Sequence, residues 1–317
     1  MEVMESVLAD APWSVSKVQT IDKCLHSFWL KYRQKIKEEE GGAAARVGTC
    51  VHSVLEYGLR MDMPDEARVL SDTESDENAP PTIVDVPSHT EAQMDERLPY
   101  LLNLFAKAKR NKLNEEEIAD AAAMLPRVKT FCLSMQQVAE KRGVTKFYLE
   151  HRAAIGTDFL PRPYAGGGAL IRGLMDFGFM TDKNVYVIID HKTGKPKNLS
   201  DYEDQLRIYM LFVMAHHPDA QAVQCGINHT LRAKVDWGDL YTRAHVETRF
   251  QPWLDHYLNR LGIKLLSLTD KGGKPKVGPL CSWCGFLPPD LDKATLCPEG
   301  VAEVRRKPYG PRLKVVQ

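Results

Sequence analysis

Asp190 and Lys192 stand two residues apart at the end of an apolar run, VYVIID, near the middle of the chain. On a strand successive side chains alternate faces, so this carboxylate and this ammonium project to one side while Ile189 and His191 project to the other. The acid can hold a divalent cation, and the lysine can orient a water and offset charge developing on a phosphate. Asp176, on the preceding apolar stretch, offers a second oxygen donor. Mg²⁺ prefers oxygen ligands and keeps several waters, so two protein carboxylates are a realistic complement. An Asp-x-Lys pair by itself is equally an ordinary solvated pair contributing at most about 1 kcal/mol; its company decides between the readings.

That company lies on two helical patterns. His52 has Gly48 one turn before it and Glu56 one turn after, so the three share a helix face, and an imidazole beside an unfilled glycine position can reach a metal on an adjoining sheet. Gln205 and Tyr209 are likewise one turn apart, where an amide and a phenol can hydrogen-bond a phosphate and a base or sugar edge. The plain alternatives are a packed or solvent-facing helix histidine and a tyrosine that fills core.

The elements that must position these residues follow from periodicity. Ser14 caps a helix whose apolar residues run from Val18 to Tyr32, and a second helix covers about Arg46 to Arg60. Helices follow from about Met94 to Arg110 and from Asn114 to Arg142, the latter divided or kinked at Pro126. Lys146 to Ile155, Leu170 to Met180 and Val185 to Asp190 read as strands, and Ser200 with Glu203 forms a capping box for a helix reaching about His216. A strand over Val223 to Leu231 and a helix over Thr248 to Leu268 complete the pattern. The expected fold class is α/β (α+β): a mixed central sheet flanked by helices, with a helical N-terminal elaboration.

Composition narrows the function classes. The 317 residues carry 42 basic and 42 acidic side chains, 44% hydrophobic and 26% charged residues, which suits a globular chain of one large or two ordinary domains. No apolar stretch approaches the roughly 18 residues of a spanning helix and the N-terminus lacks a secretory pattern, so the expected location is the cytoplasm, or a host cytoplasm for a viral protein. Charge is uneven: Asp62 to Glu96 holds eleven acids and one base, leaving 31 acids against 41 bases elsewhere. Ser71 to Thr90 within it reads as a solvated linker or insertion, or else as a charge mask over a basic groove. Seven cysteines, an odd number in a long chain, argue against a secreted disulfide framework.

Taken together, His52 in VGTCVHSVLE, Gly173 to Asp176 as GxxD, Asp190 to Lys192 as DxK and Gln205 to Tyr209 as QxxxY resemble the RecB-type branch of the PD-(D/E)XK nuclease superfamily, in order and interval, over Ser14 to Cys297. The resemblance implies a restriction-endonuclease-like core and a DNA nuclease dependent on Mg²⁺ or Mn²⁺. It gives His52, Asp176, Asp190 and the backbone carbonyl of His191 as metal ligands, Asp176, Asp190 and Lys192 as catalytic residues, Gln205 and Tyr209 as DNA-positioning residues, and Glu150 in FYLEHR as an auxiliary acid. The implied activity is exonucleolytic hydrolysis at DNA ends in recombination, repair or phage-type DNA processing; the alternative is an idle DNA-end-binding or assembly module on the same fold. No GxxxxGK[ST] phosphate loop is present, so unwinding would fall to a helicase or recombinase partner.

Cys281, Cys284 and Cys297 lie in a proline-rich C-terminal stretch and look like metal ligands rather than packing. The resemblance extends to AddB-like and CRISPR-associated RecB-like nucleases, which implies Cys24 as a fourth ligand and a [4Fe-4S] cluster stapling the chain ends. Twelve residues separate Cys284 from Cys297, longer than the family interval, and a zinc site stays open as the alternative. Basic residues at Lys264, Lys271, Lys274 and Lys276, and from Arg305 to Lys314, suit phosphate contact. The expected organisation is N-terminal helices (1–61), an acidic linker or insertion (62–96), a helical subdomain (97–143), the nuclease core (144–268), and the cysteine-cluster region with its basic tail (269–317).

Overall fold

The structure is a computed structural model; it describes residues 2–36, 42–71, 82–232, 234–279, 281, 284–287 and 296–306. In chain order the elements are α1 (Glu2–Ala9), α2 (Val15–Lys23), α3 (Leu25–Phe28), α4 (Ala43–Gly58), α5 (Glu66–Ser71), β1 (Thr82–Asp85), α6 (Glu91–Lys107), α7 (Glu115–Ala122), α8 (Leu125–Lys141), β2 (Lys146–Ile155), β3 (Ile171–Met180), β4 (Val185–Lys192), α9 (Glu203–His216), β5 (Ala222–His229), β6 (Lys234–Thr242), α10 (Arg243–His245, a single turn), α11 (Gln251–Leu265) and α12 (Pro298–Arg306). They form two compact units: Gly42–Leu254, and a second built from both chain ends, Met1–Gly41 with Asp255–Gln317.

The six strands of the larger unit pair in chain order from β1 to β6. Neighbours are antiparallel except β4 and β5, which run parallel and therefore need a crossover, supplied by α9. One sheet face carries the main core. Phe147 and Leu149 of β2, Phe177 and Phe179 of β3 and Val187 and Ile189 of β4 pack there with Val54 and Leu55 of α4, Leu101 and Phe105 of α6, and Phe131 of α8, all buried. Helix α9 lies on the opposite face, where its Phe212 meets Gly173 of β3: a Cβ on Gly173 would fall 2.7 Å from the Phe212 ring. The GxxD glycine thus lets the crossover helix sit directly on the strand.

Several elements differ from the sequence expectation, each for a local reason. The first helix is broken at Cys24, whose extended backbone (φ −163°) separates α2 from α3; Ser14 does cap α2, accepting the Lys17 amide at 3.2 Å. The expected Ser200/Glu203 box is replaced by Asn198 and Asp201, which cap a 3₁₀ turn at Leu199–Tyr202 ahead of α9. The acidic stretch, expected as a linker or insertion, contains α5 and β1, an edge strand paired with β2 through four residues; its residues 72–81 lie outside the described residues. Strand β6, with its mixed exposure, and helix α12 carried too little alternation or length to be read. Pro126 occupies the first turn of α8, where a missing N–H costs nothing, and so separates α7 from α8 as expected.

Candidate active site

β3 and β4 pair only from Phe177↔Ile189 to Met180↔Tyr186. Beyond Phe177, β3 stays with β2 as far as Ile171, while beyond Ile189, β4 stays with β5 as far as Lys192↔His229. The sheet forks at that level, and Asp176 and Asp190 stand at the crotch, one on each prong. Asp176 Oδ2 accepts the His191 amide at 2.7 Å, a hydrogen bond that bridges the prongs where the ladder stops.

The same point interrupts β2. Glu150, opposite Asp176 in register, has φ +47°, and the ladder between β2 and β3 skips this pair. Leu149 packs in the main core, yet His151, two residues on, meets His216 of α9 and His217 at its C-cap. Phe177 likewise packs in the main core, whereas Gly173 faces α9. In regular strands residues of one parity share a face; here both strands exchange faces at Glu150 and Asp176. Left-handed backbone at a non-glycine residue costs of order 1–3 kcal/mol and is held only where surroundings impose it.

Around the fork the partners are close. Lys192 Nζ lies 2.5 Å from Asp190 Oδ2, which has no further partner among the described residues, and 5.4 Å from the Tyr202 ring centroid. Gln205 donates to Asp190 Oδ1 at 2.7 Å and to the Tyr209 hydroxyl at 2.7 Å, and Tyr209 donates to the Leu174 carbonyl at 2.7 Å. The amide and phenol expected to face DNA are turned onto Asp190 and the β3 backbone. From the other sheet face, His52 Nδ1 of α4 stands 3.6 Å from Asp176 Oδ2. Gly48, one turn earlier, lies so close to Thr193 that a Cβ would come within 2.9 Å of its hydroxyl. The His191 ring points into the main core against Phe131, with Asn228 at 3.0 Å from its Nδ1.

Electrostatics follow from burial and like charge. Burial pushes the Asp190 carboxyl up to about 6, Asp176 adds to the rise, and Lys192 opposes it. Burial works against the Lys192 charge, but Asp190 outweighs it and holds the ammonium above its ordinary value. Glu150 is raised well above the usual carboxylate range by burial, then by Asp176 and Glu56. Burial lowers the His191 imidazole to about 3, so the ring is neutral. Among the described residues no three His, Cys, Asp or Glu side chains close to metal-ligand spacing. The donors are instead two carboxylates held against their own repulsion with one oxygen facing only an ammonium. That chemistry suits a hard divalent cation that retains waters.

The cysteines belong to the smaller unit. Cys297 packs with Leu287, Val301 and Val304, with Cys281 and Cys284 against that cluster. Burial pushes the Cys297 thiol up to about 11, with Cys24 and Cys284 near enough to contribute. His26, two residues after Cys24, bonds the Leu296 carbonyl at 2.9 Å, and the Lys276 amide donates to Cys24 Sγ at 3.5 Å. None of the seven cysteines is in a disulfide, and Cys50, Cys132 and Cys225 are buried as expected for packing thiols. Of the C-terminal basic residues, Lys264 pairs with Asp22 at 2.5 Å and Lys276 bonds the Asp22 carbonyl, both within this unit; residues 307–317 lie outside the described residues.

Two residues at the site have no signature in the sequence: Asn228, which fixes the His191 ring, and Arg110, whose guanidinium donates to Ser53 Oγ at 2.9 Å beside His52. Neither carries a local pattern; a lone asparagine in a strand and an arginine in a turn become significant only by proximity. No helix among the described residues is long and apolar enough to cross a membrane. No curated protein matches the chain. The family model of the PD-(D/E)XK nuclease superfamily matches residues 12–288, which takes in the forked strands, their two aspartates and lysine, and the crossover helix. With the six-stranded mixed sheet and that match over most of its length, the chain belongs to the PD-(D/E)XK nuclease superfamily.

Proposed function

We propose that this protein is a divalent-metal-dependent DNA exonuclease of the RecB-like type, acting at DNA ends in recombination, repair or phage-type DNA processing. The observation that carries this reading is the fork, which sets Asp176 and Asp190 on separate prongs with Lys192 beside the second. Asp176, Asp190, His52 and the His191 carbonyl would hold Mg²⁺ or Mn²⁺. When bound, the ion supplies Lewis-acid polarisation of the phosphate and lowers the pKa of a water. Lys192 places a positive charge where the attacked phosphate gains negative charge, and its contact with Asp190 keeps it protonated. Gln205 and Tyr209 act as positioning residues: their hydrogen bonds fix the Asp190 carboxylate and tie α9 to β3. His52 orients Asp176 from the opposite face.

End-labelled single- and double-stranded DNA, assayed beside a closed circular duplex with Mg²⁺ or Mn²⁺, tests the reading. Wild type should degrade the linear substrates and spare the circle, and Asp190→Ala should lose several orders of magnitude in rate. Undiminished activity in Asp190→Ala would remove the fork from the chemistry; nicking of the circle would make the enzyme an endonuclease.

The smaller unit is proposed to hold a [4Fe-4S] cluster through Cys24, Cys281, Cys284 and Cys297. The supporting observation is that thiols from both chain ends share one unit, with Cys24 and Cys284 both near Cys297. Anaerobically purified protein should show broad visible absorbance that Cys24→Ser abolishes. A colourless protein with stoichiometric zinc would assign the thiols to a zinc site instead.

A further inference from the structure

From the last residue of α6 into the turn before α7 the chain reads Lys107-Ala108-Lys109-Arg110-Asn111-Lys112, four positive charges in six residues. The turn is rigid. Asn111 is fully buried and donates through its side chain to the Phe105 carbonyl at 2.8 Å; the amides of Asn111 and Lys112 both bond the Ala108 carbonyl at 2.9 Å. All four cations are nevertheless exposed. Among the described residues none of them has a carboxylate within ion-pairing distance. The nearby acidic start of α7 offers no neutralisation through Glu117, which is taken by Arg46 and by the capping box at Asn114.

Arg110 links this turn to the fork. It is held by a neutral hydroxyl, Ser53 Oγ, which itself donates to the Thr49 carbonyl, so most of its five N–H donors remain available. Ser53 is the residue after His52 on α4. Arg110 also lies within Coulombic reach of Glu56 and Glu150, and Glu150 within reach of Asp176. A guanidinium held through one N–H by the hydroxyl next to His52, and anchored without an acid, is suited to bidentate phosphate capture.

We propose that the basic turn 107–112 is a DNA phosphate clamp, with Arg110 binding a backbone phosphate adjacent to the one at the fork and Lys107, Lys109 and Lys112 continuing along the strand. The proposal rests on the DNA-nuclease reading but is tested through binding rather than cleavage. The affinity of the full-length protein for a fluorescent duplex oligonucleotide is measured without added metal across a salt series, for wild type, Arg110→Ala, Arg110→Lys and the triple variant Lys107→Ala/Lys109→Ala/Lys112→Ala.

Loss of one charged phosphate contact should weaken binding about tenfold or more. The slope of log affinity against log salt should fall by roughly 0.9 for Arg110→Ala and by about 2 to 3 for the triple variant. Arg110→Lys should keep the wild-type slope, because charge is retained, while losing affinity with the bidentate geometry. In the cleavage assay the same variants should raise KM with little change in kcat. A wild-type slope in both alanine variants overturns the clamp, as does failure of wild type to bind DNA at all. The triple variant changes only exposed side chains, so a folding defect in Arg110→Ala does not shelter the proposal. Should wild type bind DNA with the expected slopes and cut nothing in Mg²⁺ or Mn²⁺, the nuclease reading fails while the clamp stands.

Discussion

Asp190 is held against its own charge. Its carboxyl is buried, sits beside Asp176, and is raised to about 6 in spite of Lys192. A carboxyl whose folded pKa lies above its unfolded value favours folding while protonated, below about pH 4, and that contribution is lost as pH rises through about 6. The metal-free protein at pH 8 therefore carries a destabilising charge on the order of 1–3 kcal/mol. Asp190→Asn should match or exceed wild type in melting temperature at pH 8 in the presence of EDTA while abolishing cleavage. A large loss of stability in that variant would show that the ion pair with Lys192 contributes more than desolvation costs. The sequence named Asp190 and Lys192 from alternation along one strand. It could not show Gln205 and Tyr209 turned onto Asp190, because a helix periodicity fixes which residues share a face and not what that face meets.

At the scale of the elements, the candidate active site is a defect shared by three strands. β3 and β4 separate beyond the Phe177↔Ile189 pair, on the side of Asp176 and Asp190, and β2 and β3 exchange faces at Glu150 and Asp176. The left-handed Glu150 backbone is what this exchange requires. Glu150→Gly, which adopts that conformation freely, should change the free energy of unfolding by less than about 1 kcal/mol, whereas the β-branched Glu150→Val should destabilise by more than about 2 kcal/mol. Urea unfolding of both variants checks the order; equal losses would mean that the strain does not govern this position. The strands themselves were legible from alternating apolar residues. The face exchange was not, since FYLEHR read as an uninterrupted strand. β1 escaped notice because four residues beside an acidic run gain strand character only from pairing with β2.

Across the whole molecule, histidines whose positive charge is opposed by burial or partial burial set the response to acid. His151 is lowered to about 3 and His217 to about 4, and His216 is lowered too, each chiefly by burial, with mutual repulsion adding at His151 and His217. A histidine whose folded pKa lies below its unfolded value near 6.5 leaves stability intact above that pH and erodes it as pH falls toward the folded value. Together with His191, lowered to about 3 by its burial, these groups are expected to outweigh the opposite trend of the raised Asp190 and Glu150 carboxyls. The urea midpoint should fall steadily from pH 6.5 to pH 4, and His151→Gln should flatten that slope; an unchanged slope would locate the acid sensitivity elsewhere.

The sequence by itself determined the donor set and its carriers: two aspartates and a lysine on apolar strands, a histidine on one helix, an amide and a phenol on another, and cysteines near both ends. These are local facts, written in side-chain type and in periods of 2 and 3.6 residues. The tertiary structure alone decided what those residues face. Pairing between distant segments opens the fork, crossover packing lays α9 on Gly173, and the buried turn at Asn111 brings Arg110 to Ser53. Each depends on contacts between residues far apart in the chain, and no local period encodes which distant surface will fill a given space.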